Sequence, residues 1–128
     1  MPRVRCQALY SAVTLDGRCV GSAGLVRLHH DDLRAEVGYW LVGEARGRGL
    51  ATRALRLLTG WCFANLNLAR LDLFTNTDND ASMAVALRAG YTREALLRSW
   101  HGNVVDREDL ILFGMLRDEW PGVGASRG

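Results

Sequence analysis

Residues 46–51 read Arg46-Gly47-Arg48-Gly49-Leu50-Ala51, and this stretch decides how the rest of the chain is interpreted. It follows Leu33–Val42 (LRAEVGYWLV), whose aromatic and β-branched content is typical of a strand. After it, apolar residues recur at three- and four-residue steps, which predicts an amphipathic helix from about Arg48 to Asn67. Glycines between a strand and a helix let backbone N–H groups converge, and the helix N-terminus adds about half a positive charge. The stretch therefore predicts an anion-binding loop.

Two common kinds of phosphate-binding loop are excluded. All 16 basic residues are arginine, so the chain has no P-loop lysine, Schiff-base lysine or lysine base. Gly47 and Gly49 are followed by Thr52 where a dinucleotide-binding motif has its third glycine. A plain connection between strand and helix remains the alternative to an anion site.

The remaining segments predict an α/β single domain with a mixed, mostly antiparallel sheet and flanking helices. Strand, helix, strand in this order predicts a right-handed crossover between parallel strands. We expect a core over residues 7–117 and a flexible tail over residues 118–128. The other predicted elements are a hairpin of residues 7–15 and 19–28 around Asp16-Gly17, a strand at Ala69–Thr75, a helix at Asp80–Ala89, and a final hairpin of Tyr91–Trp100 and Glu108–Leu116.

Composition narrows the function classes. A net charge of +2, with arginines scattered along 128 residues, argues against nucleic-acid binding, although an arginine-rich RNA-binding domain remains a third interpretation. The longest apolar run is about seven residues, so we expect no membrane segment and no signal peptide. Three widely spaced cysteines without a Cys-x-x-Cys pair predict a reduced, cytoplasmic protein. His29-His30-Asp31-Asp32 could hold a metal, but adjacent strand residues point to opposite faces, so we expect a solvated loop and no metal site.

Four separated motifs, in order, resemble the GCN5-related N-acetyltransferase (GNAT) family. Arg46-x-x-Gly49-x-Ala51 is similar to the family's loop signature. The flanking motifs resemble the RimJ/RimL-type branch specifically. They are Ala35-Glu36-Val37-Gly38-Tyr39-Trp40-Leu41, Asn79-x-x-Ser82 followed by Gly90-Tyr91, and Leu97-Arg98, Gly102, Asp106 with Leu116 to Trp120.

The resemblance implies the GNAT fold and acetyl-CoA as co-substrate. In the family, loop amides hold the pyrophosphate, and the pantetheine arm adds like a strand to a splayed strand. That implies the following cofactor-binding residues here: Tyr39, Trp40, Leu41, Arg46, Gly47, Arg48, Gly49, Leu50, Ala51, Thr52 and Asn79. The alternative role of Asn79, capping the helix that follows it, is compatible with cofactor binding.

The resemblance also implies two catalytic candidates. Attack on the thioester needs a neutral amine, so a base is useful, and Glu36 is the candidate. Ser82 is the candidate donor of a hydrogen bond to the departing thiolate. Their alternatives are a solvated strand carboxylate, or a partner of Arg34, for Glu36 and an ordinary helix N-terminal hydroxyl for Ser82. No cysteine sits where an activated nucleophile is expected, which favours direct transfer to the amine.

The sequence departs from the wider superfamily at two positions and in length. Ala86 stands where many members have a tyrosine acid, and Phe74 where some have a base. The usual N-terminal strand and two helices are not recognised, so the chain is a fragment or short form, or a partner subunit such as a second copy in a homodimer supplies them. We expect an N-acetyltransferase for a primary amine, at a protein N-terminus or on a small molecule. An acyl-CoA-binding module of the same fold with little or no turnover is the alternative.

Overall fold

The computed structural model describes residues 9–43, 46–47 and 49–121. Both helices and all six strands predicted from the sequence are present. Their bounds are β1 Leu9–Leu15, β2 Arg18–His29, β3 Arg34–Leu41, α1 Leu50–Asn65, β4 Arg70–Asn76, α2 Asp80–Arg88, β5 Thr92–Gly102 and β6 Arg107–Leu116. Helix α1 is shorter than predicted, because the left-handed backbone of Gly49 holds the N-cap and Leu66 is already extended.

The strands form one mixed sheet in the order β1-β2-β3-β4-β6-β5. Strands β3 and β4 are parallel and are joined through α1, while the other neighbouring pairs are antiparallel. The predicted α/β fold, with a parallel strand-helix-strand unit inside a mostly antiparallel sheet, is confirmed.

Both helices contribute to the main core on one face of the sheet. Leu55 and Phe63 of α1 and Ala86 of α2 are buried in one cluster with Val37 of β3 and Leu73 of β4. Alternation along β3 and β4 sends the intervening side chains to the opposite face. In the part of the chain that the structure describes, that opposite face carries no helix, and we call it the open face.

A chain of ion pairs lies on the open face. Asp72 is almost fully buried between Arg34, whose Nη1 lies 3.2 Å from its Oδ2, and Arg70, whose Nε lies 2.7 Å from its Oδ1. Arg70 continues across Gly114 to Glu94, at 2.9 Å between Nη2 and Oε1. A side chain at Gly114 would collide with this pair, so the glycine leaves room for the arginine to pass.

The start of the C-terminal segment packs against the rest of the fold. Arg117–Glu119 forms a short 3-10 helix, and Trp120 packs against the core beneath the Arg56 guanidinium. Arg117 explains the ordering, because it donates to the backbone carbonyls of Phe63, Leu66 and Leu68, where α1 ends and its last carbonyls lack helical partners. Most of the expected tail, residues 122–128, lies outside the described chain. Among the described helices, none is long and apolar enough to cross a membrane.

Candidate active site

The sheet splits between its two parallel strands. Backbone pairing of β3 with β4 ends at Val37 and Leu73, although β3 continues to Leu41 and β4 to Asn76. Each strand keeps pairing with its outer neighbour, β2 or β6, beyond that point. The two strands therefore diverge into a cleft, which we call the split.

The backbone of β3 turns groups that no longer pair with β4 toward the split at alternate residues. The N–H of Val42 donates to Val20 of β2 at 2.8 Å, so alternation turns the N–H and C=O groups of Tyr39 and Leu41 the other way, into the split. The Trp40 backbone faces β2, and its exposed side chain lies on the open face. Of the three candidates on β3, Tyr39 and Leu41 can pair with an added strand, and Trp40 can act only through its ring.

The glycine loop leads from the end of β3 to the N-terminus of α1. Gly47 and Gly49 both adopt positive φ, of 79° and 75°, a conformation that favours glycine. Arg46 folds back so that its Nε donates to the Leu41 carbonyl at 3.3 Å. Arg48 and its predicted role lie outside the described residues.

The first turn of α1 is open to an anion. No side chain caps it among the described residues, and it contains no acidic residue. The side chains of Leu50 and Ala51 pack against the small apolar cluster of Val20 and Leu41. The backbone N–H groups of Leu50, Ala51 and Thr52 precede the first helical hydrogen bond, from Arg53 to Gly49, and therefore lack helical acceptors.

Asn79 caps α2. Its Oδ1 accepts a hydrogen bond from the Ser82 N–H at 3.0 Å, and its backbone carbonyl accepts from Met83 at 3.1 Å. This is the structural role foreseen for Asn79, and it fixes the α2 N-terminus just beyond the end of β4.

We expect Asn79→Ala to lower the free energy of unfolding by about 1 kcal/mol, because the cap is lost, and Asn79→Asp to retain most of it. Urea denaturation followed by circular dichroism measures both. Equal stabilities of the alanine and aspartate variants would contradict the capping role.

Two candidate side chains meet across the split. The Tyr39 hydroxyl from β3 lies 3.1 Å from the Ser82 hydroxyl in the first turn of α2. The two residues are 43 positions apart, and the sequence interpretation assigned Tyr39 only a cofactor contact, so this pairing was missed.

Glu36 lies on the open face, next to the last paired residue of β3. Its register partner is Asp72, which two arginines neutralise, whereas Glu36 itself forms no ion pair among the described residues. Burial raises the pKa of the Glu36 carboxyl, Arg27 opposes this, and the negative charge of Asp72 adds to it. A carboxylate with a raised pKa is a better proton acceptor than an ordinary surface glutamate.

Aromatic side chains continue the open face beyond Glu36. Phe74 of β4 stacks on the exposed Trp100 of β5, with ring centroids 6.5 Å apart and planes 22° apart. The alternation of Phe74 with buried Leu73 was the available signal for its face, but its partner on β5 was not foreseen.

At the two positions where other superfamily members have a catalytic acid or base, this chain has residues that pack against their neighbours. Ala86 is fully buried, and Phe74 is in the aromatic stack. Tyr91, which follows α2, is buried with its hydroxyl 2.7 Å from that of Thr59, and burial raises the pKa of this phenol far above its usual range. Tyr91 is therefore a core residue.

A groove of about 690 Å³ lies elsewhere, between β1 and α1. It is lined mainly by apolar side chains such as Leu57 and Trp61, and among the described candidate residues only Leu50 borders it. Apart from Leu50, the described candidate residues therefore lie away from this groove, at the split and the loop beside it.

Comparison with known proteins agrees with this geometry. Residues 4–92 match the GNAT acetyltransferase domain family. YdaF of Bacillus subtilis (strain 168), provisionally named a ribosomal N-acetyltransferase, is 34% identical over 109 residues, covering 84% of this chain and 58% of that protein. Spermidine N(1)-acetyltransferase of Escherichia coli (strain K12) is 34% identical over 85 residues, covering 66% of this chain and 46% of that protein.

A solved structure extends the likeness to the whole described fold. Mycobacterium smegmatis RimJ, in complex with CoA-disulfide, superposes with a TM-score of 0.84 at 30% identity, covering 94% of this chain and 58% of that one. The chain thus spans about half to three-fifths of the length of these relatives. The matched family segment includes the split, the glycine loop and α2, so the chain belongs to the GNAT acetyltransferase family, in its RimJ/RimL-type branch.

Proposed function

We propose that the chain is an N-acetyltransferase domain that transfers the acetyl group of acetyl-CoA directly to a primary amine. The observation that carries the proposal is the split between β3 and β4, which has an uncapped helix N-terminus and two left-handed glycines at its mouth. Family membership supports the same reaction class.

The charge and backbone geometry at the mouth of the split support binding of an anionic cofactor such as acetyl-CoA. In the proposed complex, the pyrophosphate accepts hydrogen bonds from the N–H groups of Leu50, Ala51 and Thr52, with Gly47 and Gly49 allowing close approach. Arg46, and by its place in the sequence Arg48, adds positive charge at the same point. Neither the first turn of the helix nor the described part of the loop, Arg46, Gly47 and Gly49, contains a carboxylate.

The pantetheine arm is proposed to follow β3 into the split. Its two amides pair with the backbone groups of Tyr39 and Leu41, as a short added strand would. Asn79, at the end of β4, is placed to bind the same arm through its side-chain amide while it caps α2. This places the thioester near the apex of the split, beside Val37 and Leu73.

The two catalytic candidates flank that apex from opposite faces of the sheet. Glu36 lies on the open face, whereas Ser82 lies on the helix-covered face. In the proposed reaction the amine approaches from the open face and gives up its proton to Glu36, directly or through water. Sulfur leaves on the side of Ser82, which donates a hydrogen bond to it.

The acceptor is proposed to be a primary amine on a protein N-terminus or a small molecule. One relative is named for spermidine and RimJ/RimL-type relatives for ribosomal proteins, so both acceptor classes belong in the test. The open face offers a carboxylate at Glu36 and an aromatic wall at Phe74 and Trp100 for either class.

The chain is further proposed to act in the cytoplasm. A homodimer is proposed as one way in which a second copy would supply the N-terminal strand and two helices usual in the family. The described cysteines support a reducing compartment, since Cys19 and Cys62 are free thiols. No metal is invoked, and the described residues contain no cluster of three or more ligands.

Release of free coenzyme A thiol from acetyl-CoA, with a panel of peptide N-termini and polyamines, tests the proposed function. For one acceptor class, we expect the rate of thiol release with the amine present to be at least tenfold higher than the rate of acetyl-CoA hydrolysis without it. The reason is that proximity and base catalysis both act on the amine. Acetyl-CoA binding without amine-dependent release would favour the binding module instead. The panel should include a variant chain with a RimJ/RimL-type N-terminal segment added.

A further inference from the structure

Tyr39 and Ser82 form a hydroxyl pair across the split, and among the described residues neither hydroxyl makes another side-chain hydrogen bond. Their oxygens lie 3.1 Å apart, one from β3 beyond its last pair with β4 and the other from the first turn of α2. The Ser82 backbone is held independently, because its N–H donates to Asn79 Oδ1. What Tyr39 fixes is therefore the Ser82 hydroxyl and not its backbone.

The chemistry of the two groups sets the direction of their hydrogen bond. A phenol is far more acidic than an alkanol, so the Tyr39 hydroxyl is the better donor and the Ser82 oxygen accepts. Burial raises the pKa of Tyr39, which keeps this hydrogen in place over the working pH range. The hydrogen of Ser82 is then left free to donate elsewhere.

The position of the two hydroxyls indicates which group the Ser82 hydrogen can reach. Both hydroxyls lie on the helix-covered side of the split, at the N-terminus of α2, where the helix dipole is positive and Asp80 of the first turn adds a negative charge. The proposed thioester at the apex brings its sulfur to this side, opposite Glu36. Among the described residues, no carboxylate forms a hydrogen bond with the Tyr39 or Ser82 hydroxyl.

We propose that Tyr39 is a positioning residue whose hydroxyl holds Ser82 in the orientation that donates to the sulfur of coenzyme A. The inference rests on the proposed acetyl transfer. In that reaction the amine lone pair forms the new carbon–nitrogen bond, the carbon–sulfur bond breaks, and its electron pair leaves on sulfur. The amine proton goes to Glu36 or water, Ser82 keeps its own proton, and the thiolate later takes one from solvent.

The test measures the pKa of the coenzyme A thiol while it is bound, from the ultraviolet absorbance of the thiolate. This readout needs no acceptor amine. In the wild-type chain the pKa of the bound thiol should lie below that of free coenzyme A. Ser82→Ala should raise it by about 1 or more, since a hydrogen bond to a charged group is lost, and Tyr39→Phe should raise it by part of that amount.

Three further variants sharpen the result. The double variant Tyr39→Phe, Ser82→Ala should match Ser82→Ala alone, because Tyr39 acts only through the serine. Ser82→Thr, which keeps a hydroxyl, should restore most of the shift. Tyr91→Phe is the matched control, since it removes the same atom from a buried tyrosine bonded to Thr59 and should leave the bound thiol unchanged.

The possible failures are distinguishable. A Tyr39→Phe chain that binds coenzyme A with the wild-type thiol pKa would overturn this inference and leave the proposed function standing. Additive effects of the two substitutions would also overturn it, because Tyr39 would then act on sulfur independently. A wild-type chain that binds no coenzyme A would overturn the proposed function and this inference with it.

Discussion

Gly49→Glu is expected to abolish the stabilisation of the chain by acetyl-CoA. The residue caps α1 with φ of 75°, and a Cβ built there meets nothing within 4 Å, so the new side chain has open space at the mouth of the split. Its carboxylate would occupy the region proposed for the pyrophosphate, beside the free N–H groups of the first turn. Repulsion between the two anions, and competition for the same donors, should remove binding.

The expected size of the effect is large. At a ligand concentration of 100 times the dissociation constant, binding stabilises the native state by about 2.7 kcal/mol, which for a domain of this size is a shift of several degrees in melting temperature. The variant should show no shift at the same concentration. Differential scanning fluorimetry with and without acetyl-CoA measures both.

Gly17→Glu is the matched control for this experiment. Gly17 has φ of 81° in the β1–β2 turn, and a Cβ there also meets nothing within 4 Å. Both substitutions therefore carry the same backbone strain, of about 1–2 kcal/mol, and the same added charge. We expect Gly17→Glu to melt earlier but to keep its full response to acetyl-CoA, and a retained response in Gly49→Glu would refute the anion loop.

Local sequence patterns predicted most of the fold, because each element has its own periodic signal. The aromatic and β-branched content of 33–42, the alternation in 69–75 and the three- and four-residue steps after Leu50 correctly place the parallel unit around α1. The end of α1 was overextended to Asn67, since apolar spacing continues into Leu66, whose backbone is extended. The packed start of the C-terminal segment depends on Arg117 reaching α1, a contact that no local pattern records.

Individual residues of the candidate site could be predicted from the sequence, but their arrangement in space could not. The loop, Asn79 and Ser82 could be named from motifs, and Asn79 does cap α2. Which of two adjacent carboxylates is free was not predictable, because it depends on Arg34 and Arg70 both turning to Asp72. The same is true of the Tyr39–Ser82 contact, which requires the helix and the splayed strand to meet in space.

Glu36→Gln is expected to reduce kcat by about 10²–10⁴, the usual contribution of a positioned base, with little change in the binding of acetyl-CoA. The substitution keeps the shape of the side chain and removes only its ability to accept a proton. Asp31→Asn, at an exposed carboxylate in the turn between β2 and β3, is the control and should leave kcat unchanged. Thiol release at saturating acetyl-CoA and acceptor measures the effect.

The pH dependence should change in the same variant. Because burial raises the pKa of Glu36, wild-type kcat should rise with pH across a limb that lies above the ordinary glutamate range, as the carboxyl loses its proton and becomes a base. Glu36→Gln should lack that limb. A variant that kept both the rate and the limb would assign the proton transfer to water or to another group.

Stability should move in the opposite direction from activity. A carboxyl whose pKa is higher in the folded state binds its proton more tightly there than in the unfolded chain, so wild-type stability falls as pH rises through the interval between the unfolded value of 4.5 and the raised folded value. Glutamine does not ionise, so the variant does not lose stability in this way as the pH rises. At pH 7.5 Glu36→Gln should therefore melt at the same temperature as the wild type or higher, and the difference should vanish toward pH 4. A variant with lower stability at neutral pH would mean that Glu36 is held by a favourable contact in the fold, which is the behaviour of a structural carboxylate and not of a desolvated base.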